Sequence, residues 1–356
     1  MSQLAKVLKC NWKGLNLRRG FIVAAVLLVL TILLLGLGHE GYVLTFVFAV
    51  LFAALSDPGG KFGYRVQRMA LFGVLGALLT ALGFGIGGSA WGLVVLAVFV
   101  VTLLGGLAVR FGLHRFESGE LLTYWFLIAI SLPLAYKADH ITVSTGKETV
   151  AWLIAVALWI AITGVLWLAR GRKERPPWLP EFPASTEPVK LTTPVVAFAV
   201  IRALAPTVAV AIAFGLHVPN ADWMPVAALV AMKSNLAQSA LTAGQRLTGA
   251  ILGAGVAALF LLTVHNKYVL GVVIVLLVAA AVSIRTVNYA LYCAAIAGSV
   301  LIAIDLAHPT DFASEGRRVL FTLAGVGIGL AFTLLTFLLQ KRGAKTASVA
   351  AEGSGR

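Results

Sequence analysis

One arginine of this chain stands inside a long apolar stretch, where it could bind an organic acid. Arg202 lies in the stretch 194–216, four residues before Pro206. Proline cannot donate the backbone hydrogen bond that the Arg202 carbonyl would otherwise accept, so we expect the helix to bend and open there. A guanidinium beside an opened turn can bind a carboxylate through two parallel hydrogen bonds. The alternative is that this long side chain reaches the edge of the apolar layer.

A second cation is accompanied by aromatic side chains. Arg285, Asn288 and Tyr292 are spaced i, i+3 and i+7, so they would share one face of a helix, with Tyr289 beside them. A cation and aromatic rings on one face could hold an aromatic carboxylic acid. The competing interpretation is a belt of aromatic and basic residues at a membrane surface.

Two further arginines begin corresponding apolar stretches. Arg68 and Arg246 each follow a glutamine and lead into a stretch that contains glycines. Together they could form a basic vestibule that attracts anions. Alternatively, they are anchors on the cytoplasmic side of a membrane. Ser234 and Asn235 end a short apolar stretch upstream of Arg246, and they add polar side chains to the predicted substrate-binding site.

Proton coupling needs an acidic side chain that changes its charge. Asp57 ends a short apolar stretch, and Asp305 ends another, three residues before His308. We predict both aspartates as proton carriers, because ionisable groups within membrane segments commonly serve in proton relays. Glu120 and Asp222 are instead expected to cap helices.

The composition indicates the environment of these residues. Of 356 residues, 60% are hydrophobic and only 12% are charged, whereas soluble domains average about 25% charged residues. A soluble fold has too little interior for so much apolar surface, so we predict an all-α polytopic membrane protein. The net charge of +14 is typical of basic cytoplasmic loops, and we expect no nucleic-acid partner. Two cysteines cannot form a disulfide framework.

Apolar stretches between polar breaks predict about twelve transmembrane helices, since about 20 apolar residues cross roughly 30 Å of hydrocarbon. These stretches centre on residues 21–38, 42–56, 68–87, 91–109, 121–136, 149–169, 194–216, 223–235, 246–264, 268–284, 287–305 and 317–340. With both termini in the cytoplasm, most of the 28 lysines and arginines lie on the cytoplasmic side, as expected for a bacterial inner-membrane protein.

The predicted organisation is two parallel six-helix repeats. The segments are an amphipathic cytoplasmic segment (1–20), a first repeat (21–169), a Pro-rich cytoplasmic linker (170–193), a second repeat (194–340) and a cytoplasmic tail (341–356). The pair Ser56-Asp57, followed by Gln67-Arg68, recurs as Ser234-Asn235, followed by Gln245-Arg246. The second helix of each repeat is short, and matched short segments in two halves point to a transport site. The alternative explanations are a locally thin bilayer, or helices that are extended by polar residues facing protein.

Several motifs of the second half resemble the fusaric acid resistance and aromatic acid exporter superfamily. They are Asp222-Trp223-Met224-Pro225, the run from Gln245 to Ala254, Arg285 with Asn288-Tyr289-Ala290-Leu291, and the run from Arg317 to Gly325. The resemblance covers roughly residues 205–340, and the first half shows a weaker similarity. Many family members carry a large cytoplasmic domain, whereas this chain has only a short linker and is similar to the compact members.

The resemblance implies an efflux permease for small aromatic carboxylic acids, which in many members works with a periplasmic membrane-fusion adaptor protein. A related branch conducts organic anions. The leading hypothesis is therefore a proton-driven secondary exporter of small organic acids, with Arg202 or Arg285 on the substrate carboxylate. A passive organic-anion channel and a non-transporting membrane subunit are the alternatives. A homo-oligomer is left open.

Other patterns argue against enzymatic or ATP-driven chemistry. The chain has no Walker loop, no zinc-ligand spacing and no Gly-x-Ser-x-Gly elbow, so no cofactor, metal or enzyme activity is expected. Gly249-x-x-x-Gly253 and Gly325-x-x-x-Gly329 predict close helix packing.

Overall fold

A computed structural model describes residues 10–133, 144–174, 190–216, 223–232, 236–264, 266–285, 287–304, 320–321 and 323–339. Within these ranges the regular elements are helices, as predicted. They are α1 (Leu17–Gly36), α2 (Val43–Ser56), α3 (Phe62–Ile86), α4 (Trp91–Leu107), α5 (Leu113–Ala129), α6 (Thr145–Ala169), α7 (Thr193–Gly215), α8 (Trp223–Ala231), α9 (Leu236–Thr263), α10 (Lys267–Ile284), α11 (Tyr289–Ile304) and α12 (Leu323–Leu339).

Six of these helices are long and apolar enough to cross a membrane, which makes the chain a multi-pass membrane protein. They are α1, α3, α4 with its following turn, α6, α7 and α10. In lipid, a helix satisfies every backbone hydrogen bond internally, which is why apolar stretches of this length fold as helices. The prediction of about twelve spanning helices is not confirmed. Helices α2, α11 and α12 are apolar but shorter, and the 14 residues of α2 rise only about 21 Å.

The two shortest apolar helices are surrounded by protein rather than by lipid. Every residue of α2 is buried except Phe46, and residues 224–232 of α8 and its C-terminal end are all buried. A helix that is apolar on all sides belongs in an interior. This confirms that the second helix of each half is short, and the polar end of α2 therefore lies against neighbouring helices.

The same pairs of helices are in contact in both halves. Contacts between α1 and α2, α2 and α3, α3 and α5, and α4 and α5 recur as contacts between α7 and α8, α8 and α9, α9 and α11, and α10 and α11. The contacts between the halves are reciprocal as well, because α4 packs on α7 while α10 packs on α1.

Glycines allow the closest of these approaches. A Cβ at Gly253 would lie 2.7 Å from the Ala294 carbonyl oxygen, and one at Gly249 would lie 2.7 Å from that of Ala290. Gly325 and Gly329 approach the α8 backbone in the same way. The close packing predicted from both glycine pairs is confirmed.

We expect Gly253→Ala to lower the thermal unfolding temperature in detergent micelles, because α9 and α11 would have to separate. Gly255→Ala is the matched control on the same helix. A Cβ there has no neighbour within 4 Å, and alanine favours the helix by about 1 kcal/mol over glycine. Equal unfolding temperatures for the two variants would contradict the close-packing interpretation.

The chain before α1 is not an α-helix where the structure describes it. Residues Trp12–Gly14 form one 3-10 turn. The Asn11 N–H donates to the Val287 carbonyl (2.8 Å), and the Asn16 N–H donates to the Ser283 carbonyl (3.0 Å). The predicted amphipathic segment thus packs on the turn between α10 and α11 from residue 11 onward. Residues 1–9, most of the linker and the tail lie outside the described residues.

Several helices begin earlier than the apolar stretches predict. Helix α5 begins at Leu113 rather than near residue 121, and α9 begins at Leu236 rather than near residue 246. The added residues include alanine, leucine, glutamine and glutamate, which favour helices without being uniformly apolar. The expectation that Glu120 caps a helix is therefore wrong, because Glu120 lies in the middle of α5.

Candidate functional site

A bidentate ion pair lies where α2 ends. The Arg65 Nε and Nη2 atoms donate to the two Asp57 carboxylate oxygens at 2.8 and 2.7 Å, and both side chains are buried. The Gly59 N–H also donates to Asp57 Oδ1 at 3.1 Å. Asp57 was predicted as a proton carrier, and that role stays a prediction. A carboxylate held by an arginine and a backbone donor has the geometry of a structural ion pair.

A second arginine stabilises the same end of α2. The buried Arg19 side chain donates through Nη2 to the Ala54 carbonyl. The last carbonyls of a helix have no partner within the helix, so a cation is favourable there. The end of α2 is therefore fixed by cations from both α1 and α3.

The predicted substrate arginine joins the two halves of the molecule. Arg202 of α7 donates to the Glu120 carboxylate of α5, and the Arg202 side chain is 3% exposed. Its guanidinium also lies over the Phe116 ring, 5.3 Å from the ring centre. Arg202 is nine residues from the start of α7, or about 14 Å along the axis, which is near the middle of a bilayer.

A buried glutamate that the sequence analysis did not select lies against α2. Glu148, in the first turn of α6, is 0% exposed and accepts a hydrogen bond from the Thr45 hydroxyl. Its Oε1 atom is buried without a hydrogen-bond partner. The signal available in the sequence was a single acidic residue beginning a long apolar stretch. An ionisable group at such a position is costly and commonly functional.

A cavity of about 590 Å³ lies between α3, α4 and α5. Its walls are mainly apolar, and Leu71, Leu78 and Leu104 are 49%, 62% and 63% exposed along its open side. It is therefore a groove on the outer surface of the first half. Ser56 contributes to its lining, but the cavity is formed by residues of the first half and does not lie between the two halves.

Arginines stand at one end of this groove. Arg68 lines it at the beginning of α3, and Arg115 lines it at the beginning of α5. The Arg68 guanidinium lies 5.0 Å from the centre of the Tyr64 ring, and its Nε atom is buried without a hydrogen-bond partner. Arg115 is exposed, and its guanidinium lies 5.7 Å from the centre of the Phe111 ring.

The single helical face predicted for Arg285, Asn288 and Tyr292 is interrupted. Helix α10 ends at Ile284, Arg285 follows it, and α11 begins at Tyr289. Asn288 Oδ1 accepts the Leu291 N–H at 3.0 Å, so Asn288 caps α11. The Tyr289 and Tyr292 rings are stacked with centres 5.7 Å apart. The prediction that these three residues share one helical face is wrong, because Arg285 lies at the end of the preceding helix, α10.

The remaining predicted residues lie outside the described part of the chain. These are Ser234, Asn235, Asp305, Asp222 and the side chain of Arg246. Among the described residues, no group of three histidine, cysteine or acidic side chains is arranged to hold a metal ion.

The comparisons with known proteins concern the second half. Residues 208–332, from the middle of α7 into α12, match the family described as fusaric acid resistance protein-like. No curated protein and no solved structure matches the chain. The predicted resemblance to this family is thus confirmed for residues 208–332, and the match suggests a membrane transport function related to efflux.

Proposed function

We propose that the protein is a secondary exporter of small organic acids, in particular aromatic carboxylic acids, across a bacterial inner membrane. The observation that carries this proposal is the ion pair between the buried Arg202 of the second half and the partly buried Glu120 of the first. A guanidinium is the protein group best matched to a carboxylate, and this one lies near mid-membrane depth, just before the residues 208–332 that match the family. The chain would have both termini in the cytoplasm, and a periplasmic adaptor would be a separate partner.

Transport of this kind requires two units that move relative to each other around a fixed site. The recurring helix contacts in the two halves and their reciprocal contacts support two six-helix repeats related by an axis along the membrane normal. The Arg202–Glu120 pair joins those units. A pair in this position must break or rearrange when the units rock, so its strength affects the balance between inward-open and outward-open states.

Substrate binding would exchange one carboxylate for another. The carboxylate of the organic acid replaces Glu120 on the Arg202 guanidinium, and the aromatic body lies beside the Phe116 ring, which is already next to that guanidinium. Because one carboxylate replaces another on the arginine, the buried guanidinium is never left without a counter-ion. Proton coupling is assigned to Glu148, the buried carboxyl with an unpartnered oxygen.

The exchange model predicts opposite effects of two substitutions on substrate affinity. Glu120→Gln removes the competing charge, so we expect tighter binding of an aromatic acid such as benzoate but slower export. Arg202→Gln removes the anion site. We expect the affinity for the acid to fall by about tenfold or more, since a hydrogen bond to a charged group contributes about 1.5–3 kcal/mol. Binding to purified protein and efflux from proteoliposomes measure the two effects.

Arg110→Gln is the matched control, because Arg110 is exposed and lies in the turn before α5. It should leave affinity and efflux unchanged. If Glu120→Gln and Arg202→Gln both lower stability and neither changes affinity, the pair is structural and the proposal fails.

The channel alternative makes a separate prediction, because flux through a channel would persist unchanged when the pH gradient is collapsed.

A further inference from the structure

The groove between α3, α4 and α5 has a polar end and an apolar length, like the two parts of an amphiphile. Arg68, Arg115 and Ser118 lie at one end. The rest of the α3 wall is formed by leucine and phenylalanine side chains at positions 71, 72, 75, 78 and 79. A small aromatic acid would need only a few ångströms of this surface.

The dimensions of the groove match one leaflet of a bilayer. From Arg68 to Leu79, eleven residues of α3 rise about 16 Å, and half of a hydrocarbon core of about 30 Å is about 15 Å. The arginines are at the end of α3 that follows the cytoplasmic end of α2 in the predicted orientation. An acyl chain of the cytoplasmic leaflet would therefore run along the groove with its head group beside the cations.

The open side of the groove is lined by exposed leucine side chains, so it faces the lipid. Leu71, Leu78 and Leu104 are largely exposed, and in a membrane-spanning helix such positions face lipid tails. A ligand can therefore enter sideways from the bilayer without passing through water. The cations at the polar end select for negative charge, since each arginine near a membrane surface favours an anionic lipid by about 1 kcal/mol.

We propose that this groove is a binding site for one anionic phospholipid of the cytoplasmic leaflet, with its phosphate on Arg68 and Arg115 and one acyl chain along α3. The site is independent of the proposed exporter activity. The phosphate would complete the hydrogen bonding of Arg68, whose Nε atom is buried without a partner. The aromatic rings of Tyr64 and Phe111 hold the two guanidinium groups from behind, which limits the rotamer freedom lost on binding.

The test measures lipid retention by the purified full chain in detergent. Native mass spectrometry is performed after addition of equal amounts of phosphatidylglycerol and phosphatidylcholine. We expect the wild type to prefer phosphatidylglycerol by about tenfold or more, and the double variant R68Q/R115Q to lose about tenfold of that preference. The matched control R110Q, whose arginine does not line the groove, should keep the wild-type preference.

A second variant tests the apolar part without altering charge. A108F places a larger side chain on the groove wall, and we expect it to release both lipids equally while Arg68 and Arg115 remain. Equal retention of both lipids by the wild type would overturn the proposal. So would a loss in R110Q as large as in the double variant, or displacement of phosphatidylglycerol by benzoate, which would make the groove a substrate site. If R68Q/R115Q does not fold, A108F decides the outcome.

Discussion

Replacing Glu148 with glutamine is expected to uncouple export from the proton gradient. Glutamine keeps the shape of the side chain and its hydrogen bond with Thr45, but it cannot bind and release a proton. In proteoliposomes with an imposed pH gradient, we expect gradient-driven efflux to be lost, because ionisable groups within membrane segments carry the protons of such relays and glutamine cannot. Exchange of labelled for unlabelled substrate needs no net proton movement and should continue.

The surroundings of Glu148 make this result specific. Helix α2, which packs against it, carries no charged side chain between Val43 and Ser56, and the cations Arg65 and Arg68 of α3 lie near the opposite end of the bundle. Burial, and then the charge of Glu148, raise the pKa of Tyr42. A phenol carries no positive charge in either protonation state, so Tyr42 is no counter-ion to Glu148. Thr45→Val tests the hydroxyl separately and should shift the pH dependence of efflux without abolishing coupling. Unchanged gradient-driven efflux in Glu148→Gln would refute the assignment.

Removing one partner of the buried ion pair at the end of α2 should strongly destabilise the protein. Asp57→Ala leaves the Arg65 guanidinium buried without its carboxylate, and breaking a buried pair in this way costs about 3–5 kcal/mol. We expect a lower midpoint in SDS-induced unfolding in mixed micelles. The neighbouring exposed lysine provides the control, because Lys61→Ala should leave the midpoint nearly unchanged.

The double variant Asp57→Leu with Arg65→Met distinguishes a structural pair from a proton-coupling one. Replacing both partners by apolar side chains of similar size is often nearly neutral for stability, so the double variant should recover most of the midpoint. If it also retains gradient-driven export, Asp57 is not the proton carrier. A midpoint for Asp57→Ala equal to that of the wild type would show that the pair contributes little.

The features that could be predicted from the sequence depend on the length of apolar stretches and on the spacing of residues close together in the chain. The two short apolar stretches became the buried helices α2 and α8, and Gly249 with Gly253 marked the close approach of α9 to α11. Both follow from length and side-chain size, which are local properties. The family resemblance of the second half could also be recognised from the sequence, because its motifs are contiguous.

The pairings of charges were not predictable, because they join residues far apart in the chain. Glu120 and Arg202 are on α5 and α7, and Thr45 and Glu148 are on α2 and α6. Nothing in the spacing of either residue indicates its partner. The prediction of about twelve spanning helices is not confirmed, because a short helix surrounded by protein and a membrane span have the same apolar composition. Arg285 was placed on one face with Tyr292 although the predicted apolar stretches end at residue 284 and begin again at 287, so the helical spacing was applied across a break.

The packing of α1 and of the preceding residues 11–16 on α10 and its following turn has a consequence for biosynthesis. The ribosome makes this first segment long before the helix that it finally contacts. Until α10 has been inserted, the flank of α1 that carries Gly20, which closely approaches Ser283, must be covered by lipid or by the insertion machinery. The contact between α1 and α10 therefore forms only after the eight helices between them have been made.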